Sequence, residues 1–75
     1  MHLHKELENL EVKIMKMFAL TERALDASVK SLMDRDDALA EEVIQGDQVI
    51  NALEVDIEET ILHILALWQP VARDL

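Results

Sequence analysis

Apolar and small residues recur at steps of three and four along two long stretches of this chain. From Asp36 to Gln69 the row is Leu39, Val43, Gly46, Ile50, Leu53, Ile57, Ile61, Ile64 and Trp68. That spacing, held over about nine turns, predicts one long amphipathic helix over residues 37–68. A second row, Leu3, Leu7, Leu10, Ile14, Thr21, Leu25, Ser28 and Leu32, with Met17 and Phe18 straddling it, predicts another helix over about 5–33. Glu6, Glu8 and Glu11 fall near the positive end of that first helix and Lys30 in its last turns, the polarity a helix dipole favours.

Between the two rows the register breaks at Asp34-Arg35-Asp36. The tripeptide has neither Gly nor Pro, yet Asp36 is suited to cap the next helix by accepting free N–H groups of its first turn. A continuous rod from Lys5 to Trp68 is the alternative. It is disfavoured because Asp34 to Asp37 would interrupt the stripe. At the other end, Pro70 removes a backbone donor and disfavours helical geometry at Gln69, so the second helix is expected to stop there. Pro70 also suits the first position of a helix, and residues 70–75 read as the stub of a third. Two helices of similar length with a short joint imply an all-α antiparallel hairpin.

A hairpin hides only its facing stripes, and these helices are apolar beyond them. Ile44, Leu62 and Leu65 line one flank of the second row, and Val49 and Leu67 the other. Met17, Leu20 and Ala24 flank the first row on one side, with Met15 and Met33 on the other. Arcs that wide ask for further helices. The expected assembly is a homo-oligomer, most simply two hairpins forming a four-helix bundle.

Composition narrows the class. Gly and Pro occur once each, there is no Cys, and the aromatics are Phe18 and Trp68. This excludes a β-sandwich, a glycine-rich nucleotide fold, a disulfide framework and a thiolate metal site. The longest apolar run, Ile61 to Trp68, is too short to span a bilayer, and the N-terminus lacks a signal-peptide layout. The expected location is the cytoplasm. The charge changes the picture more. Nine of the 16 acidic residues lie between Arg35 and Arg73, where there is no Lys or Arg, so the net charge of −9 sits on the second helix. Nucleic acid needs a basic footprint and anionic lipid attracts one, so neither is an expected partner.

Part of that charge hugs the second seam. At ~100° per residue, with Ile50 at zero, Glu54 falls at about 40°, Asp47 at 60°, Glu58 at 80° and Asn51 at 100°. The ridge Asp47, Asn51, Glu54, Glu58 is bracketed by Ile44, Leu62 and Leu65, so a helix covering the leucines also covers the carboxylates. Glu54 and Glu58 repel at (i, i+4) with no Lys to relieve them. Two readings stay open: a solvated face, which suits Glu41, Asp56 and Glu59, or an oxygen-rich set for a hard or borderline cation such as Mg²⁺, Mn²⁺, Ca²⁺ or iron. His63 reads as a surface residue near Glu59, and His2 and His4 lie at the terminus. The residue three before His63 is Thr60, so the Glu-x-x-His pattern of a di-iron bundle is missing. With no Ser/His/Asp set and no phosphate loop, an enzyme is not expected.

Three stretches stand out: Asp36-x-x-Leu39-Ala40-x-x-Val43-Ile44-x-Gly46-Asp47, then Ile50-Asn51-x-Leu53-Glu54-x-x-Ile57-Glu58, then Gln69-Pro70-Val71-Ala72-Arg73-Asp74-Leu75. Together they resemble the PhoU family, the bacterial phosphate-transport accessory and regulatory proteins. The opening Glu6-Leu7-x-x-Leu10 and Met17 are similar too, and the Gln-Pro-x-Ala-x-Asp-Leu ending is the most specific part. The resemblance implies an antiparallel three-helix repeat, of which this chain holds two helices. It also implies negative regulation of phosphate uptake and signalling, through a phosphate ABC transporter and its histidine kinase. Some members bind metal at (Glu/Asp)-x-x-x-Asp motifs on the second and third helices. The first motif maps onto Asp47-x-x-x-Asn51, with an amide in place of one carboxylate, and the third-helix motif is not in this sequence.

Overall fold

In the computed structural model the chain is described over residues 3–73, with side chains described through Trp68. Two helices form an antiparallel hairpin: α1, Leu3–Asp34, and α2, Asp37–Arg73. The molecule measures 57 × 18 × 15 Å. The long dimension matches ~1.5 Å per residue along α2, so the chain is a pair of rods side by side.

The joint is two residues long and closed by capping at both ends. Arg35 takes a positive φ of 49°, and the Asp36 N–H reaches back to the Ser31 carbonyl at 2.9 Å. This is the bond that ends a helix in a Schellman motif, with Arg35 where glycine usually sits. Asp36 then opens α2. Its Oδ1 accepts the Leu39 N–H at 3.0 Å, and its carbonyl accepts the Ala40 N–H at 3.0 Å. The cap expected at Asp36 is therefore in place, and the continuous rod is excluded.

Two expectations need correction. The first concerns Pro70: α2 runs through it to Arg73 rather than stopping at Gln69, so residues 70–73 continue the same helix and are not the stub of a third. Proline at position 70 has no N–H to donate, so the Ala66 carbonyl loses its usual helical donor. Asp74 and Leu75, the rest of the expected stub, lie outside the described residues.

The second correction is the seam of α1. The covered row is Leu3, Glu6, Leu10, Lys13, Met17, Leu20, Ala24, Ala27 and Ser31, all half-buried except Ser31, which is buried. Ile14 and Ser28 border this row and are half-buried as well. Leu7, Leu25 and Leu32, expected in the seam, are exposed, as is Thr21. Both rows have helical spacing and share Leu3 and Leu10. They differ by one position in each turn, a rotation of about 100° where they diverge. The short capped joint fixes how α2 lies against α1. Small side chains at Ala24, Ala27, Ser28 and Ser31 let the helices approach near it. Ser28 and Ser31 satisfy their hydroxyls on the Ala24 and Ser28 carbonyls, at 2.7 and 2.8 Å.

On α2 the expected row holds at Leu39, Val43, Ile50, Leu53, Ile57, Ile64 and Trp68, of which Ile57 and Ile64 are buried. Gly46 and Ile61 are exposed instead, and Thr60 takes a place in the contact. Two polar clasps fix the register. Lys13 Nζ donates to Asp56 Oδ1 at 3.1 Å and to Thr60 Oγ1 at 3.2 Å. Nearer the open end, the Trp68 indole N–H donates to Glu6 Oε2 at 3.0 Å, and His63 Nε2 lies 3.9 Å from Glu6 Oε1. Charged groups at a helix contact need such partners, and each charged member of the covered row has one.

Candidate functional site

Part of the exposed apolar surface and part of the unpaired acidic charge lie together on one side of the hairpin. Near the joint a groove is lined by Thr21, Leu25 and Ser28 of α1 and by Ile44, Asp47 and Ile50 of α2. Helical rotation extends both walls. At ~100° per residue, Leu7, Phe18, Thr21, Leu25 and Leu32 fall within about 60° of one another on α1. On α2, Ile44, Asp47, Glu54, Glu58, Leu62 and Leu65 fall within about 80°. The face therefore runs along the molecule, mostly apolar on the α1 wall and, on the α2 wall, three carboxylates bracketed by Ile44 before and Leu62 and Leu65 after.

Its apolar members are well exposed: Leu25 at 64%, Ile44 at 63%, Phe18 at 59% and Leu62 at 58%. Apolar surface that is continuous over several turns marks a place where protein packs. The bases lie elsewhere. Lys16, Arg23 and Lys30 project from the other side of α1, and Lys13 is committed to Asp56 across the seam. Asp56, expected on the solvated face, is thus a structural partner. His63, expected at the surface, is exposed there, at the edge of the Glu6–Trp68 clasp. His4 pairs with Glu8 within α1, at 2.8 Å.

The four residues singled out for a cation, Asp47, Asn51, Glu54 and Glu58, are all exposed along the outer wall of α2. Asn51 Nδ2 donates to Asp47 Oδ2 at 3.4 Å, so this pair closes on itself. None of the three carboxylates joins an ion pair among the described residues. Asp47 and Glu58 are about 16 Å apart along the axis at ~1.5 Å per residue, too far to share one ion. Along one helix only neighbours at (i, i+4) can share an ion, so water or another element would have to supply the rest of the six or more oxygens that Mg²⁺ or Ca²⁺ takes. Among the described residues no group of three His, Cys, Asp or Glu side chains converges to hold a metal. The ridge by itself does not fit a complete metal centre.

The Lys13–Asp56–Thr60 and Glu6–Trp68 clasps were not expected from the sequence. The signal was there: Glu6, Lys13 and Leu20 continue one row at steps of seven, and two of the three are charged. Charged residues within an apolar stripe point to specific polar partners across it.

The described residues thus form a long two-helix hairpin with an open, partly apolar face. The PhoU domain model matches residues 14–75. The chain is 45% identical over 75 residues to the phosphate-specific transport system accessory protein PhoU homolog of Aquifex aeolicus, which covers all of this chain and 34% of that protein. It is 39% identical over 70 residues to the phosphate-specific transport system accessory protein PhoU of Serratia marcescens, and 37% identical over 70 residues to that of Escherichia coli. Each of those two matches covers 93% of this chain and 29% of the relative. No solved structure matches significantly. The chain belongs to the PhoU family, and it spans about a third of the length of the curated relatives it matches. No helix among the described residues is long and apolar enough to cross a membrane.

Proposed function

We propose that this chain is a helical docking unit of a PhoU-type regulator of phosphate uptake and phosphate signalling. It acts in the cytoplasm by pressing a helix face on a phosphate ABC transporter subunit or a sensor histidine kinase. The role is regulatory and not catalytic. Family membership supports the process, and one observation supports the manner. Leu25, Phe18, Ile44, Leu62 and Leu65 are exposed in one continuous face while the hairpin's own polar contacts are satisfied elsewhere.

The acidic ridge has a subsidiary part in this reading. The Asp47–Asn51 and Glu54–Glu58 pairs each supply oxygens to a divalent or iron-type cation once another element brings the remaining ligands. The test is co-purification with the transporter's nucleotide-binding subunit, with and without Mn²⁺, comparing the native chain with Leu25→Asp and Leu65→Asp. Retention by the native chain and its loss in both variants is the expected result. No retention under either condition overturns the proposal.

A second reading is favoured by the same exposed flank. In it the hairpin is a structural, self-associating module with no ligand, two copies closing as a four-helix bundle. Light scattering separates the two. A stable dimer whose mass ignores Mn²⁺ and which does not retain the transporter subunit supports the structural module.

A further inference from the structure

We draw no further inference here: the strongest candidate, the apolar face between α1 and α2 that carries Phe18, Leu25, Ile44 and Leu65 beside the carboxylates of Asp47, Glu54 and Glu58, is an unpartnered surface with an acidic edge, and nothing in the structure shows what covers it.

Discussion

Gly46 and Arg35 each hold a backbone position that another residue would hold better. Gly46 lies inside α2 with an ordinary helical backbone, and a Cβ built on it meets nothing within 4 Å. Glycine there has more freedom to lose on folding than alanine and adds no contact. Gly46→Ala should raise stability by about 1 kcal/mol, read as a higher denaturant midpoint at unchanged slope. Arg35 shows the opposite mismatch, because its φ of 49° places a side chain where the left-handed backbone crowds Cβ. Arg35→Gly should relieve about 1 kcal/mol, seen as a higher melting temperature with helicity unchanged. If it destabilises instead, the joint does not depend on the left-handed cap. The two positions differed in legibility. An aspartate before an apolar-periodic run announced the cap, whereas a left-handed arginine leaves no mark in sequence. It emerges from how the two helices meet.

The elements themselves were readable because long runs with steps of three and four admit little besides helix. The two-residue joint was located to within a residue. Which stripe of α1 meets α2 was harder to read. Summed hydrophobicity favours the row through Leu7, Ile14, Leu25 and Leu32, and a pattern reader takes the greasier row for the seam. The hairpin uses the neighbouring row because its polar members find partners on α2 and its small members allow close approach. Such pairings are properties of two helices together, so neither helix alone announces them. The Lys13–Asp56 pair can be weighed directly. Their side chains are 34% and 50% exposed, so solvent screens much of the attraction. A double-mutant cycle with Lys13→Ala and Asp56→Ala should give a coupling of about 0.5 kcal/mol at low salt, shrinking toward zero at 1 M NaCl. A coupling above 2 kcal/mol that ignores salt would mean that the pair is buried in the working form, with the assembly closing over that side.

At the scale of the whole molecule, the acidic ridge was legible as a position and not as a chemistry. Helical angles placed Asp47, Asn51, Glu54 and Glu58 on one flank, and they lie there, exposed. Whether those oxygens bind a cation depends on groups brought opposite them, and among the described residues no set of three ligating side chains converges there. Calorimetric titration of the chain with Mn²⁺ should therefore show no saturable site below millimolar concentration. A tight stoichiometric site would mean that ligands converge in a way the hairpin does not display.

The slenderness of the hairpin bears on its stability. The radius of gyration is 17.2 Å, against about 11 Å for a compact domain of this length, and among the described residues only Ile57 and Ile64 are buried apolar side chains. So slender a contact is a weak counterweight to the entropy of ordering the chain. If copies of the chain close on the Leu25–Ile44–Leu65 face, folding and association become one equilibrium, and stability rises with concentration by mass action. The melting temperature should climb over a hundredfold rise in protein concentration, with scattering mass at least twice that of the chain. Ile44→Ser with Leu65→Ser should remove both effects and lower helicity at micromolar concentration. Those variants leave Ile57, Ile64 and the two clasps intact, and Ile44→Ala with Leu65→Ala, which keep helix propensity high, separate loss of the outer face from the intrinsic cost of serine in a helix. A well-folded monomer with a concentration-independent transition would show that the hairpin's own contacts suffice, and self-association through this face would be ruled out.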